Sequence, residues 1–438
     1  MPQAVPAIIE VASSALAAHI AHGDYVTTLR VSHETPAPGD TLQFRRITDA
    51  LSVARAGRLA RGEHTAAACP ITITVSPGRY AGTATGTPAG DIERFPIVVD
   101  VPAIILRGST VLPMDPSDRP GPEAVGGIET VLAPVEPLTV VNGSSTPIII
   151  ANGHPSGSAG NALTVEGFVF QSGNTGTVFG GQALLSLRVT SISFRRNRVE
   201  GGFTEKIDLR ASSGDVTQNY LSGAASACDI CLAAPGTYRA ISNRVLAGGV
   251  PGITTSAVVG LPVPADVEPY VLPATAEVWS EVRNNEVRDH LSVPVGVGIR
   301  VEVIGTMAPH VRNTVHSSIR DNLLVNNRFG IMIHAGFPVA GTDRIGIADV
   351  SLSGNVIQQS CQAKLLISLV RHQRTLGLNA TFPYLQSSVF LVALNGNVAW
   401  DEVWYGHEAG FGNTLIVDGA PVANGSRHFY SPAGCPGL

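Results

Sequence analysis

An asparagine followed two residues later by an aliphatic residue recurs seven times between positions 197 and 399. The copies begin at Asn197, Asn219, Asn243, Asn285, Asn322, Asn355 and Asn397, and Gly167-Phe-Val169 resembles a degenerate earlier copy. Successive copies are 22, 24, 42, 37, 33 and 42 residues apart. Three short strands of ~3.3 Å per residue plus three turns need about as many residues as the shortest intervals. The repeat therefore predicts a solenoid with one rung per copy, and the longer intervals carry an insertion or an unrecognised second coil.

Asparagine at a fixed place in every rung has a physical cause. It tolerates the left-handed conformation that a sharp turn between strands requires. Its amide can also bond the equivalent amide one rung away, as stacked asparagines do. We therefore expect the seven asparagines to form a ladder along the solenoid.

The remaining pattern is that of short strands joined by tight turns. Gly 47 and Pro 30 are too many for a helical protein. Helical periodicity is confined to positions 4–20 and to a segment that starts near Thr48, a candidate N-cap, and stops at Arg61-Gly62. The β-branched runs that follow are separated by Gly, Pro, Asn and Ser. They are Ile71 to Val75, Ile97 to Val101, Ile104 to Leu106, Leu138 to Val141, Ile148 to Ile150 and Leu163 to Phe170.

Charge and hydropathy exclude several functions. Lys+Arg 29 against Asp+Glu 34 gives a formal net charge of -5, so no overall basic field would hold a nucleic acid. No apolar run reaches the ~20 residues of a membrane span, and the N-terminus lacks the charged start of a signal peptide. Of five cysteines only Cys228 and Cys231 lie close together. We interpret them as buried thiols or one local disulfide, because a second pair of zinc ligands is missing.

The stretch from about 160 to 420 resembles the right-handed parallel β-helix of the pectate-lyase-like superfamily. The part before it resembles the usual entry into such proteins, with a helix at 48–60, Ile-Thr-Val-Ser-Pro-Gly-Arg-Tyr at 73–80, Phe-Pro-Ile at 95–97 and Ile-Leu-Arg-Gly at 105–108. The resemblance covers about four fifths of the chain. It implies an all-β fold, a single-stranded right-handed parallel β-helix with a short N-terminal helical cap. It says almost nothing about the substrate, because function is grafted onto such folds.

The domain prediction divides the chain into a helical cap at 1–23 and a β-helix domain at 24–438. The cap would cover the unpaired strand edges at one end of the coil. Two proline-rich insertions are expected to project as loops, one near 113–137 and one near 249–276. Projecting loops on a rigid stack often form the walls of a binding groove.

Aligning the rungs on their asparagines predicts a polar stripe along one flank. Equivalent positions in a parallel stack lie ~4.8 Å apart, so charges that are distant in sequence would line up. His290 with Asp289 and Arg328 is the best candidate for a general base and its partners, since the pKa of histidine already lies near neutral pH. Because these residues follow the turn, we expect them to be exposed, so that replacing His290 or Arg328 barely changes stability. The alternative is that they are ordinary outward residues of a soluble coil.

A second candidate set lies near the C-terminus. His407 and Tyr405 are its catalytic candidates, with His334, Asp401 and Glu402 as substrate-binding residues and Glu408 beside them. Asp401 and Glu402 could also act as paired carboxylates if they sit in a turn. Trp404, with Trp400, Tyr405 and Phe411, would bind sugar rings if exposed and would close the last rungs of the core if buried.

The resemblance implies polysaccharide lyases, which neutralise a uronate carboxylate and remove the adjacent proton. We therefore predict a secreted protein that binds an acidic polysaccharide and cleaves it by β-elimination, in an extracellular or cell-surface location. No clustered aspartates or other known catalytic motif of this fold are present, so we expect no metal cofactor, with only weak support for calcium. The alternative function is a non-enzymatic surface or filament-forming β-helix that self-associates through its coil.

Overall fold

The computed structural model describes most of the chain after residue 27. The described ranges are 28–60, 69–82, 91–134, 147–152, 162–172, 181–248, 250–257, 276–292, 296–303, 312–335, 345–369, 389–407 and 413–427. The predicted helical cap at 1–23 lies outside them. No helix among these ranges is long and apolar enough to cross a membrane.

The strands, numbered β1 to β34 in chain order, form three long and almost entirely parallel sheets. Sheet A contains β1 (Thr28–Val31), β2 (Gln43–Phe44), β3 (Ile71–Val75), β6 (Ile104–Arg107), β9 (Ala162–Glu166), β12 (Ser191–Arg195), β15 (Gly214–Thr217), β18 (Gly236–Ile241), β21 (Ala276–Arg283), β24 (Arg312–Arg320), β27 (Ile345–Ser353), β30 (Val389–Ala393), β32 (Thr414–Val417) and β33 (Ala420–Pro421). Sheet B contains β4 (Gly78–Tyr80), β7 (Thr130–Leu132), β10 (Val169–Gln171), β13 (Arg198–Glu200), β16 (Tyr220–Ser222), β19 (Arg244–Leu246), β22 (Glu286–Arg288), β25 (Leu323–Val325) and β28 (Val356–Gln358). Sheet C contains β5 (Ile97–Val99), β8 (Ile149–Asn152), β11 (Leu184–Leu187), β14 (Phe203–Arg210), β17 (Ala225–Ala233), β20 (Ile253–Ala257), β23 (Val297–Val303), β26 (Phe329–Ala335), β29 (Ala363–Leu369), β31 (Val403–His407) and β34 (Gly425–Arg427).

The chain passes through sheets A, B and C in turn, so one strand from each sheet makes up one coil, or rung, of the solenoid. In the best-defined coil β12 leads to β13 and then to β14, and β15 pairs with β12 to begin the next coil. One continuous apolar core runs along the inside, with contributions from all three sheets. The predicted fold class, an all-β parallel β-helix solenoid, is confirmed.

The asparagine ladder lies at the turn from sheet A to sheet B, and its register is as predicted. Each asparagine Oδ1 accepts the backbone N–H of the asparagine one coil earlier, at 2.9 to 3.2 Å. The side-chain amides bond one another in the same order along the column. Five of the seven asparagines are at most 1% exposed, and Asn355 is 7% exposed. The ladder satisfies polar groups that burial would otherwise leave unpaired.

The left-handed residue of each turn lies one position before the asparagine, and not at the asparagine as expected. The left-handed residue precedes each ladder asparagine, as at Gln218 with φ 56° and Asn284 with φ 55°. In the degenerate copy Gly167 is this left-handed residue, with φ 75°, and the N–H of Phe168 bonds Asn197. The asparagine position therefore falls on Phe168, one residue later than the alignment on Gly167 suggests.

The only α-helix among the described residues, α1, runs from Ile47 to Ala60 and confirms the predicted second helix. Thr48 is not its N-cap, because the helix starts one residue earlier. Glu93 caps it instead, accepting the N–H of Ile47 at 2.6 Å and the hydroxyl of Thr48 at 2.7 Å. A distant carboxylate thus satisfies the helix start.

Both predicted loop insertions are partly strand. Within 113–137, residues 130–132 form β7, and residues before it form a lobe over the outer face of sheet B. Within 249–276, Ile253–Ala257 is a buried strand of sheet C, although we expected no inner strand there. The prolines flank this strand rather than interrupt it. Residues 135–137 and 258–275 lie outside the described ranges.

Candidate functional site

The candidate site lies on the outer face of sheet C. Ile207 and Leu209 of β14 belong to the core, so Asp208 between them points outward. Its neighbours in the register continue the column as Cys231, Thr254, Arg300, Met332, Leu366 and Trp404.

A second outward column lies three residues earlier along each strand. Val297 and Phe329 occupy it, and they cluster with Met332 and Trp404, apart from the main core. Glu205 and Cys228 are paired in this column. Residues 205 and 208 therefore share the outer face although an ideal strand would turn them to opposite faces. The pairing of this strand is irregular directly before them, between Phe203 and Glu205.

A pair of carboxylates forms the centre of the site. Glu205 is half-buried and accepts a hydrogen bond from Gln182 Nε2 at 2.7 Å, while Asp208 is 1% exposed. Arg210 Nε donates to Asp208 Oδ2 at 2.7 Å. Burial, and then the charge of Asp208, raise the pKa of Glu205 to about 7, and Arg210 and Gln182 partly oppose this shift. One carboxyl thus stays partly protonated near neutral pH beside a carboxylate whose charge an arginine balances.

A disulfide occupies the equivalent positions one strand further along. Cys228 and Cys231 are joined, with their Cα atoms 5.9 Å apart. Cys228 pairs with Glu205 and Cys231 with Asp208, so the bridge lies ~4.8 Å from the carboxylate pair. Of the two interpretations of this cysteine pair, the local disulfide is confirmed.

A second polar group follows on the same face. Glu302 lies 3.3 Å from both Arg300 Nη2 and His334 Nε2. His334 is 2% exposed and Glu302 is 4% exposed. Beyond this group the face turns apolar, with Phe329 and Trp404 rings 5.5 Å apart. Carboxylates therefore occupy one end of the face and aromatic rings the other.

The prediction that His290 is an exposed base is wrong. His290 is 0% exposed and its Nε2 lies 2.9 Å from Asp229 Oδ2. Lys206 Nζ contacts the other oxygen of Asp229 and also donates to Gly223 O at 2.5 Å. The residues after the turn fold into the corner between sheets B and C instead of lining its outside.

The stripe itself is only partly formed. Asp289 is exposed and accepts from Asn326 Nδ2 at 2.6 Å, so neighbouring rungs do align as expected. Arg328 is 9% exposed and donates to Gln362 Oε1 at 2.8 Å, with its guanidinium over the ring of Phe329. The pair His290 and Arg328 thus offers no exposed surface to a polymer.

The C-terminal candidates are separated from one another. His407 is 4% exposed and both ring nitrogens face backbone carbonyls, at 3.1 and 3.2 Å. Trp404 is 3% exposed and therefore buried, but in the apolar cluster on the outer face of sheet C and not in the main core that it was expected to close. Tyr405 is half-buried against the core and stacks on Trp400 with ring centroids 5.2 Å apart.

Asp401 and Glu402 lie in a short 3₁₀ turn, Trp400–Glu402. Asp401 is exposed, whereas Glu402 contacts Lys364 Nζ at 2.5 Å. No contact joins this turn to His407 or His334 among the bonds of the described residues. The structure thus provides no paired-carboxylate geometry here comparable to that at Glu205.

The sequence reasoning missed Glu205 and Asp208. A usable signal was present, since the two cysteines and the two acids occupy the same two positions in successive rungs. The local disulfide requires residues three apart to share a face. The same spacing in the preceding rung would have placed the two acids side by side.

Within the described ranges, no group of three or more His, Cys, Asp and Glu side chains could hold a metal ion. No family of known proteins matches the sequence, and no curated protein does. Among solved structures, the chain is similar to the catalytic domain of a GH87 alpha-1,3-glucanase in complex with nigerose, with TM-score 0.27, 11% identity, 89% of this chain and 69% of that chain covered. It is also similar to tailspike protein 3 of bacteriophage CBA120, with TM-score 0.29, 11% identity, 94% of this chain and 69% of that chain covered. At this similarity nothing about ligand or reaction follows from either protein.

Proposed function

We propose that the protein binds a polysaccharide at the partly exposed Glu205 and Arg210 on sheet C and hydrolyses a glycosidic bond there. The carboxylate pair carries this proposal, because Glu205 has a pKa raised to about 7 beside the ion-paired Asp208. Two carboxyl groups with different environments are the usual requirement of glycoside hydrolysis.

In this mechanism Glu205 donates its proton to the glycosidic oxygen as the bond to the sugar carbon breaks. Asp208 stabilises the positive charge that develops on the sugar, or acts on a water or on the sugar carbon directly. Arg210 fixes the orientation of Asp208 through its 2.7 Å hydrogen bond. Glu205 and Arg210 are partly exposed to solvent, whereas Asp208 is 1% exposed.

Cleavage by β-elimination and an acidic substrate have less support than hydrolysis. His290, the predicted base, is enclosed with Asp229 in the interior. Among the described residues of sheet C, Arg210 is paired with Asp208 and Arg300 with Glu302, so neither is a spare positive charge for a uronate. The acidic substrate stays a prediction.

The pectate-lyase-like assignment and an extracellular location belong to the same proposal. The assignment is supported by a coil of three sheets with an asparagine ladder. The location is supported by the disulfide of Cys228 and Cys231 and by the disulfide-bonded Cys361, because such bonds persist in oxidising compartments.

The experiment is a panel of neutral and acidic polysaccharides assayed for new reducing ends and for unsaturated products. We expect reducing ends without unsaturation, and a loss of about 10²–10⁴-fold in Glu205→Gln and Asp208→Asn, as for removal of a general acid or its partner. Asp215→Asn is the matched control, since Asp215 pairs with Arg239 on sheet A. Unsaturated products, or full activity in Glu205→Gln, would contradict the proposal.

The pH profile gives a second test. Glu205 must be protonated to donate, so the rate should fall as pH rises through about 7, the raised pKa of this group. The charge of Asp208 contributes to the raised pKa of Glu205. In Asp208→Asn, any residual activity should therefore fall at a lower pH than in the wild type. If the rate falls at the same pH in Asp208→Asn as in the wild type, a group other than Glu205 is responsible for the pH dependence.

Self-association is the second candidate function. The lobe over sheet B exposes a group of apolar side chains, which is unusual for a surface without a partner. They are Val111, Met114, Val125 and Ile128, at 60%, 37%, 56% and 51% exposure.

A further inference from the structure

A second aromatic site lies on the outer face of sheet A, away from the carboxylate pair. Strand register places Thr237, Trp279, His316 and Asp349 in one column along the coil. Trp279 is 51% exposed, the most exposed aromatic side chain among the large apolar residues that the structure describes. An aromatic ring of this size, left half in water, offers a flat apolar face to a ligand.

The indole is held in a fixed orientation. Its ring stacks on His316 with centroids 3.8 Å apart and an interplanar angle of 13°. Its Nε1–H donates to Glu277 Oε1 at 3.0 Å. The opposite ring face is directed along the coil towards Thr237, an exposed residue with a short side chain. A flat apolar surface is therefore pre-organised, and binding would cost little ordering of the side chain.

The polar surroundings of the ring carry negative charge. Glu277 and Asp349 lie 3.3 and 3.2 Å from the two nitrogens of His316. Both carboxylates are 53% exposed at the side chain, so they keep free lone pairs for further donors. Two carboxylates around one imidazole repel an anionic ligand at any charge state of the histidine.

We propose that Trp279 is the platform of a binding site for a pyranose ring that carries no acidic group. The apolar C–H face of such a sugar would lie on the indole, as aromatic rings accept apolar ring faces. Sugar hydroxyls would donate to Glu277 beside the indole, while Asp349, on the far side of His316, adds only negative charge. The site excludes polyuronates by charge, and it would hold a polysaccharide on a sheet that does not carry the carboxylate pair.

The test is affinity electrophoresis in gels that contain neutral glucans, an amino-sugar polymer or a polyuronate. Wild type should be retarded by a non-acidic polymer, and Trp279→Ala should weaken that binding about tenfold. Trp279→Tyr, which keeps a flat ring, should retain most of it. Val356→Ala is the matched control, because Val356 is similarly exposed, at 48%, but lies on sheet B. Far-UV circular dichroism of each variant checks the fold.

Glu205→Gln separates this site from the proposed hydrolysis. Retardation that depends on Trp279 in the Glu205→Gln protein supports the site even if no polymer is cleaved. Equal retardation of wild type and Trp279→Ala in every polymer, or binding of polyuronate alone, overturns it. A change of sedimentation coefficient in Trp279→Ala without polymer would also overturn it, because the ring would then contact a second copy of the chain.

Discussion

At the residue scale, the interior cluster of Lys206, Asp229 and His290 is the feature least expected of a β-helix core. All three side chains are 0% exposed. Glycines make the room, since a Cβ at Gly248 would lie 1.9 Å from Asp229 Oδ2 and one at Gly252 would lie 3.2 Å from His290 Nε2. Burying charges costs several kcal/mol each unless they are paired, so each member depends on the others.

Replacing His290 with alanine should therefore destabilise the protein by about 2–4 kcal/mol, because Asp229 loses a partner and a cavity is left. The sequence alone predicts an exposed His290 whose replacement barely changes stability, and the burial of this residue reverses that prediction. Urea unfolding of His290→Ala and of the exposed neighbour Asp289→Ala measures the difference. Equal stability of the two variants would show that the cluster is not needed for folding.

At the scale of elements, the lobe before β7 is attached to sheet B by arginines from several coils. Arg244 donates to Pro120 O at 2.9 Å and to Asp115 Oδ2 at 2.7 Å. Arg198 donates to Pro122 O at 2.8 Å. Residues far apart in sequence thereby hold one surface segment against consecutive rungs.

We expect Arg244→Ala to loosen the lobe without unfolding the coil. Amide hydrogen exchange of residues 113–129 should accelerate by about tenfold, which corresponds to ~1.4 kcal/mol of lost local stability. The core strands should keep their protection. Arg195→Ala is the control, because Arg195 pairs with Glu166 on sheet A. Unchanged exchange in the lobe would mean that its other contacts suffice.

The sequence predicts elements better than it predicts side-chain directions in this fold. The recurring asparagines identify seven of the rungs, and stacked amides then fix the register of Asn285 on Asn322. The exposure of His290 does not follow from the register, because it depends on how the chain turns after the strand. Glu205 and Asp208 share a face although an ideal strand would separate residues three apart, so a two-residue period does not reveal this pair.

At the scale of the whole molecule, stability is spread over a stack in which each coil contacts its neighbours. The core is one continuous cluster from Leu29 to Val417, and the described ion pairs are protein side chains. We therefore expect a chelator to leave the melting temperature unchanged within about 1 °C, since 1 kcal/mol shifts it by ~1 °C at this chain length and a structural metal ion contributes roughly 10 kcal/mol. A large fall in the melting temperature on adding EDTA would show a structural metal ion.

In the asparagine ladder, the distance between neighbouring asparagines does not depend on the number of residues between them in sequence. Consecutive members bond at 2.9 to 3.2 Å whether 22 or 42 residues of chain lie between them. Segments of different size can thus be exchanged between one ladder position and the next while the repeating backbone frame persists. For protein engineering, foreign peptides could therefore be inserted and displayed between chosen ladder positions along the coil.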